Sequence, residues 1–326
     1  MDSRSSTGAL LNLDQKRICH NDRWAYSGFS LLNQGLRSQT ATAVLVAAFL
    51  AFNNSSTGHA FYIHLHTVYG DRNVNCWATF VITSAFFWIW AGVFALADLT
   101  SRPSWLFKYK TQPFTRVSPR EYAWIALISL RNQVLVALPV AYISSLIVVH
   151  PVHPSTLPSV PVTLLIITFD ILCTEVGFYY VHRLFHHPRF YARFHKQHHR
   201  FTAPVGLAAT FCSPFEHLFS NLLPNAVGFL IIPHHWSTMV FTLLLLEFST
   251  ICSHSGYNLA PLPSNLQHDF HHFAFDENFG PLGILDTLHG TNTRFKRTMQ
   301  AALRRADGDE ERARNAVLER LAQLSG

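Results

Sequence analysis

Charged residues are scarce in this sequence of 326 residues. They make up 13% of the chain, about half the share of roughly 25% that a soluble globular protein carries, whereas hydrophobic residues make up 49%. Cysteine is scarce too: the five cysteines stand apart and form no Cys-x-x-Cys pair, so neither a disulfide framework nor a thiolate zinc site is expected. These shortages argue against an ordinary cytosolic enzyme and favour a membrane protein.

The signature motifs of several enzyme classes are missing as well. No Gly-x-Ser-x-Gly, Gly-x-Gly-x-x-Gly or P-loop pattern occurs, which removes the usual serine-hydrolase and nucleotide-binding interpretations. His-Glu-x-x-His is absent, and no glutamate of the apolar body has the Glu-x-x-His spacing of soluble di-iron carboxylate proteins. The net charge is +6, but lysine and arginine form no stripe interleaved with aromatic residues, so nucleic acid is not an expected partner.

Long apolar segments are present instead. Because a crossing needs about 20 apolar residues, four segments are predicted to cross the membrane: residues 38–52, 77–97, 122–149 and 161–181. The segments before, between and after them contain five, one, five, zero and five lysines and arginines. This alternation follows the positive-inside rule, so the N-terminus and the histidine-rich region are predicted to share the cytosolic side.

A fifth apolar stretch covers residues 218–251 and is interrupted at residues 233–235. Histidine-rich segments flank it on both sides. If these flanks build one site, the stretch must enter the membrane and return, so we predict a helical hairpin.

Histidine is unusually abundant, with 20 residues against 19 for aspartate and glutamate combined. Three clusters stand out: His182 and His186; His195, His198 and His199; and His268, His271 and His272. Spacings of three and four residues place side chains on one face of a helix, so several imidazoles can point at one place, as a first-row metal requires. Eight ligands allow four for each of two metals, whereas a structural zinc needs only four in all.

The other histidines are interpreted one by one. His254, at the end of an apolar helix facing the cytosol, is predicted to be an auxiliary metal ligand, with a role in orienting other ligands as the alternative. The role of His217 stays open. The remaining histidines are expected not to bind the metal: His20, His59, His64, His66, His150, His153, His187, His234, His235 and His289.

Carboxylates within or beside apolar spans are costly unless they have partners, and a metal-bound histidine usually donates its second N–H to a carboxylate or carbonyl. Candidates for this orienting role are Asp170, Glu175, Glu216, Asp269 and Asp286. For Asp269, plain solvation is the alternative.

The three clusters resemble the histidine pattern of the fatty acid hydroxylase/sterol desaturase superfamily. Residues 254–257 (HSGY) and 267–272 (QHDFHH) resemble its sterol C4-methyl oxidase branch, as do residues 278–280 (NFG) and 286–291 (DTLHGT). The resemblance covers roughly residues 120–300. One departure is that Ser213 precedes Pro214 where many relatives have histidine.

The resemblance implies an O₂-dependent, non-haem di-iron enzyme of the endoplasmic reticulum membrane that oxidises a C–H bond of a sterol or related lipid. It implies two iron ions, held by the eight cluster histidines and His254. Electrons would come from NADPH or NADH through cytochrome b5 and its reductase, since the sequence has no cofactor-binding motif. Desaturation or hydroxylation of a fatty acyl or ceramide chain, or oxidation of a terpenoid, stays open. A non-catalytic membrane metal-binding protein is the alternative from another class.

The expected architecture is an all-α integral membrane protein with about four transmembrane helices, a helical hairpin and a cytosol-facing, histidine-rich metal-binding cap. Residues 1–120 are predicted to form a membrane anchor region, residues 121–300 the catalytic domain, and residues 301–326 a charged helical tail.

Overall fold

The computed structural model describes residues 35–112 and 115–306. Within these ranges the chain is helical and contains no strand, only an isolated β-bridge between Lys110 and Tyr257. The prediction of an all-α protein is confirmed.

Two short helices come first, α1 (Thr40–Asn53) and α2 (Ser56–Tyr69). The side chain of Ser55 accepts a hydrogen bond from Gly58 N and so caps α2. With 14 residues, α1 is about 21 Å long at 1.5 Å per residue. A 3-10 helix (Gly35–Gln39) leads directly into α1. The crossing predicted at residues 38–52 is not among the four described helices that are long and apolar enough to cross a membrane.

Three longer helices follow, and each is long and apolar enough to cross a membrane: α3 (Asp71–Thr100), α4 (Pro119–Ile147) and α5 (Val160–Phe185). Helices α3 and α5 contain the predicted crossings at residues 77–97 and 161–181, and α4 covers the crossing predicted at residues 122–149 except for its last two residues. A capping box of Ser118 and Glu121, with Pro119 in the first turn, sets the start of α4.

The fifth apolar stretch forms α6 (Leu223–Ile231) and α7 (Trp236–His254), joined by residues 232–235. The stretch begins beside Glu216, which contacts His195, and it ends at His254, which contacts His268. Its connection lies at the other end of the bundle, where Trp236 N donates to the carbonyl of Pro151. The predicted hairpin is confirmed, and α7 is the fourth helix long and apolar enough to cross a membrane.

Helices α5 and α6 lie close together, because two glycines leave room for the neighbouring chain. A Cβ atom on Gly228 would come within 2.3 Å of Asp170 Oδ1, and one on Gly177 within 3.1 Å of Pro224 Cβ. Helix α6 thereby covers the membrane-embedded part of α5 that precedes the first histidine cluster.

Three helices complete the described chain: α8 (Leu266–Ala274), α9 (Ile284–His289) and α10 (Thr293–Ala306). Phe295 and Met299 of α10 pack against Leu266, Phe270 and Phe273 of α8. The start of the predicted charged tail at residue 301 belongs to α10, and residues 307–326 lie outside the described residues, as do residues 1–34. The division into three regions and the cytosolic orientation stay predictions.

Candidate metal centre

Nine histidines converge at one end of the bundle in two groups, and one ring nitrogen of each residue lies within 4.8 Å of those of its group. The five-histidine group contains His182, His186, His195, His199 and His271. The four-histidine group contains His198, His254, His268 and His272. The structure thus brings together all eight cluster histidines and the auxiliary His254.

The i+3 and i+4 positions of a cluster serve different groups. Histidines four residues apart stay together: His182 with His186, His195 with His199, and His268 with His272. His198 and His271, each three residues after the first histidine of its cluster, belong to the other group. In α8 a turn of about 100° per residue separates the side chains of His271 and His272 by about 100°, so they serve two adjacent sites. The second cluster divides in the same way without being one α-helix, since His195 ends a π-helical turn and His198 begins a 3-10 turn.

Ring nitrogens face one another at contact distance within each group. His199 Nε2 lies 3.0 Å from His195 Nε2 and 3.1 Å from the Nε2 atoms of His186 and His271. In the four-histidine group, His268 Nε2 lies 2.8 Å from His254 Nε2 and 3.1 Å from His272 Nε2.

The opposite ring nitrogens fix the tautomer of five of these rings. Nδ1 of His182, His254, His271 and His272 donates to a backbone carbonyl, and Nδ1 of His195 donates to Glu216; the carbonyls are those of Phe279, Thr250, Glu277 and Phe201, in that order. A neutral imidazole protonated at Nδ1 has a lone pair at Nε2. Several lone pairs are therefore aimed at each other, an arrangement that repels unless a cation lies between them.

The spacing of these nitrogens fits a metal ion. Imidazole nitrogens bind at about 2.1 Å, so two ligands at a right angle on one ion are about 3.0 Å apart. The observed separations of 2.8–3.1 Å agree with that value. All-imidazole sites suit iron, zinc, copper and nickel.

Burial keeps the imidazoles in the metal-binding form. Desolvation, followed by the neighbouring imidazoles, lowers the pKa of six candidate ligands outside the spanning helices well below the ordinary value: His195, His198, His199, His268, His271 and His272. They are neutral around pH 7, and a metal binds neutral histidine.

Glu216 is the predicted carboxylate that contacts a ligand directly. It is 2% exposed, and its Oε1 accepts a hydrogen bond from His195 Nδ1 at 2.6 Å. Ser213 caps this turn by accepting a hydrogen bond from Glu216 N, which gives the serine at the departure from the family pattern a structural role. His217 belongs to neither histidine group, and its Nδ1 lies 3.3 Å from Asn221 Nδ2.

In the described part of the chain, Glu175 and Asp286 form no direct hydrogen bond with a histidine of the two groups. They hold the loop whose Phe279 carbonyl contacts His182. Asp286 accepts hydrogen bonds from the backbone of Phe279 and Gly280 at 2.8 and 2.7 Å. Glu175 accepts from the backbone of Leu282 and Leu285 at 2.8 and 2.9 Å. Both carboxylates are buried, so they hold in place the loop whose Phe279 carbonyl orients His182.

The two other predicted carboxylates have different surroundings. Asp269, within the third cluster, is buried and accepts a hydrogen bond from Gln112 Nε2 at 2.9 Å. Asp170 lies under α6, and its Oδ2 is 3.4 Å from Nε2 of His234, which belongs to neither group. The contacts described for Asp170 give no support to a role in orienting the nine histidines.

Sequence analysis missed the backbone carbonyls and Gln112. A carbonyl has no sequence signal, because every residue carries one. Gln112 is 157 positions from Asp269, so only the folded chain shows that they meet.

Replacing Asp286 by alanine is expected to lower the free energy of unfolding by roughly 2–4 kcal/mol, since it leaves two buried N–H groups without their acceptor. The content of bound metal should fall as well, because the loop supports His182. Thermal unfolding in detergent and metal analysis measure both effects. Asp276→Ala is the matched control, since it removes an exposed carboxylate paired with Arg294 and should change little. Equal behaviour of the two variants would contradict the assigned role.

Comparison with known proteins relates the chain to one protein family. Residues 164–291 match the family model described as fatty acid hydroxylase. The chain is 34% identical over 325 residues to a fatty acid hydroxylase of Mycosarcoma maydis, with 97% of this chain and 83% of that protein covered.

Two further relatives carry different names. Fatty acid hydroxylase domain-containing protein 2 of Macaca fascicularis is 35% identical over 306 residues, covering 86% of this chain and 90% of that protein. A C-4 methylsterol oxidase of Schizosaccharomyces pombe is 33% identical over 144 residues, covering 38% and 46%. No solved structure matches.

Proposed function

The chain belongs to the fatty acid hydroxylase family, and on that premise we propose that it is a membrane oxygenase that uses O₂ and two iron ions to hydroxylate or otherwise oxidise a C–H bond of a sterol or related lipid. The family implies an oxidoreductase. The observation that carries the proposal is the convergence of nine histidines, seven buried and two half-buried, into two groups beside helices long enough to cross a membrane.

The five-histidine group would hold one iron ion and the four-histidine group the other. When bound, the two ions supply the capacity to reduce O₂ and to attack an unactivated C–H bond. The chain itself orients the rings: Glu216 and the carbonyl of Phe279 hold His195 and His182 with Nε2 turned inward. Seven of the nine histidines are buried, which limits the access of water to the site.

The substrate is proposed to reach the site from the bilayer. The spanning helices expose large apolar side chains, among them Leu127, Leu135 and Leu165 at 65–69% exposure, so their outer surface suits lipid. The names of the relatives suggest two substrate classes. The sterol oxidase relative supports a sterol, whereas the fatty acid hydroxylase of Mycosarcoma maydis supports a fatty acyl chain as the second candidate.

Electrons are proposed to come from a separate donor, NADPH or NADH through cytochrome b5 and its reductase, because the sequence has no cofactor-binding motif. We place the enzyme in the endoplasmic reticulum membrane with the histidine groups on the cytosolic side. Five exposed basic residues around the first two clusters support this orientation under the positive-inside rule: Arg183, Arg189, Arg193, Lys196 and Arg200.

Purified protein from iron-replete cells is expected to contain about two iron ions per chain. Reconstituted with NADPH, cytochrome b5 and its reductase, it should convert a sterol or fatty acyl lipid under ¹⁸O₂ into a product that carries one labelled oxygen. Mass spectrometry distinguishes this outcome from desaturation, in which the product loses two hydrogen atoms and gains no label. Zinc or no metal, together with no oxygen-dependent product from either lipid class, would favour the non-catalytic metal-binding protein.

A further inference from the structure

A short segment between α3 and α4 lies against the third histidine cluster, although it is far from it in sequence. Residues 110–112 are buried, with Lys110 4% and Thr111 0% exposed. They lie outside residues 164–291, the part of the chain that matches the family model. These residues fall within the predicted membrane anchor region (residues 1–120), but they contact the segments that carry the candidate metal ligands.

Gln112 joins two segments that carry or adjoin candidate ligands: the chain directly after the second histidine cluster, and helix α8. Its Nε2 donates to the carbonyl of Thr202 at 2.8 Å and to Asp269 Oδ1 at 2.9 Å. His272 joins the same two segments, because it lies one turn after Asp269 on α8 and its Nδ1 donates to the carbonyl of Phe201 at 3.1 Å. The Gln112 amide is thus a second crosslink beside the bond that orients His272.

Thr111 fixes the start of α8 and the residues after His254. Thr111 N donates to the carbonyl of Gly256 at 2.9 Å, and Asn265 Nδ2 donates to Thr111 Oγ1 at 3.0 Å. Gly256 has a φ of +74°, and a Cβ there would lie 3.1 Å from the carbonyl of Pro204, so this close approach requires glycine.

The segment is itself anchored to the end of a spanning helix. Lys110 forms a buried ion pair with Asp98 of α3. The hydroxyls of Tyr122 and Tyr257 donate to the same carboxylate, each at 2.6 Å. Asp98 therefore ties the segment to α3, to α4 and to the chain that follows His254.

These contacts support bonds and segments that hold the four-histidine group. Gln112 lies beside the bond that orients His272. Gly256, which accepts from Thr111 N, follows His254 by two residues. His199 and His271 of the other group lie on the same segments, but Nδ1 of His271 is held by the carbonyl of Glu277.

The five-histidine group has other supports, namely Glu216 and the carbonyls of Glu277 and Phe279. We infer that residues 110–112, with Gln112 as the main contact, are a positioning element for the four-histidine group alone. The inference rests on the proposed function, since it assumes that both groups bind metal.

Gln112→Glu tests this directly, because glutamate has the same size but, when ionised, cannot donate to Asp269 or to the carbonyl of Thr202 and places a like charge beside Asp269. Zinc is the probe, and its affinity is measured by competition with a chromophoric chelator on the full chain in detergent. One of two bound ions should be held about 10–100-fold more weakly, the usual effect of losing a contact behind a ligand. Gln133→Ala is the matched control: Gln133 is buried and accepts a hydrogen bond from Trp88, and this variant should keep both affinities.

Two backgrounds show which ion is affected. With His195 and His199 replaced by alanine, Gln112→Glu should weaken the remaining ion; with His268 and His272 replaced, it should not. Gln112→Ala repeats the test if the glutamate variant fails to fold. Equal weakening in both backgrounds, or in neither, would overturn the inference. A wild-type chain that binds no ion would overturn the proposed function as well, whereas two ions unaffected by Gln112 variants would overturn this inference alone.

Discussion

His199→Ala and His272→Ala are each expected to reduce turnover by roughly 1000-fold or more, since residues that act as one catalytic unit lose almost all activity when any member is removed. His199 Nε2 lies within 3.1 Å of the Nε2 atoms of three other ligands in the five-histidine group. His272 Nε2 lies 3.1 Å from His268 Nε2 in the other group. Each variant therefore removes a central donor from a different group.

Metal analysis and turnover of the two variants, measured together, separate their effects. Each should retain about one of two ions, because the other group keeps all of its donors. His289→Ala is the control: His289 lies outside both groups and contacts the exposed side of Tyr180, so this variant should keep both ions and the wild-type rate. Wild-type turnover in both ligand variants would exclude a catalytic role for the two groups.

The sequence predicts the identity of the ligands better than their grouping. The three clusters combine fixed spacing with neighbouring apolar spans, and all eight residues lie in the centre. The expectation of four ligands per site differs from the observed groups of five and four. That division arises because His198 and His271, at the i+3 positions, turn away from their i+4 neighbours toward the other group. For the third cluster the angle follows from α-helix geometry, but which imidazoles meet is decided by the folded chain, which brings the rings of His182 and His271 together.

Hydrogen bonds that orient the histidines were predictable only where the partner is a side chain of a recognisable type, such as a carboxylate beside an apolar segment. Glu216 follows a polar turn and precedes an apolar stretch, so its burial demanded a partner, and His195 is that partner. Asp170 satisfied the same criterion, yet it lies beside His234 at the connected end of the hairpin. A buried carboxylate thus indicates that a partner exists without saying which one, because the register between helices decides that.

The membrane segments show the same limit. Hydropathy located α3, α4 and α5, because lipid contact demands a continuous apolar run. Hydropathy also located α1, but the polar residues 53–56 end that helix after 14 residues. The fourth helix long enough to cross a membrane is α7 instead. The length of a helix is decided at its ends, by capping residues such as Ser55. In a sequence, one capping residue is a weaker signal than the mean hydropathy of a long segment.

His254 extends the four-histidine group beyond the three clusters, and its replacement tests the ninth ligand. Its Nε2 lies 2.8 Å from His268 Nε2 and 3.3 Å from His198 Nε2, while its Nδ1 donates to the carbonyl of Thr250 at 2.8 Å. His254→Ala leaves this group three imidazoles. We expect it to lose one ion of two and to reduce turnover by roughly 100-fold or more, as expected when one member of a catalytic unit is removed.

His217→Gln is the matched control for His254→Ala, because both histidines are buried and both lie outside the three clusters. His217 contacts Asn221 and belongs to neither group, and glutamine preserves much of its volume and its capacity for hydrogen bonding. This variant should keep two ions and a rate within about tenfold of wild type, since core substitutions that conserve volume usually cost little stability. Iron content and turnover measured in parallel decide the assignment. Two ions and full activity in His254→Ala, or loss of an ion in His217→Gln, would mean that the ninth ligand has been assigned to the wrong histidine.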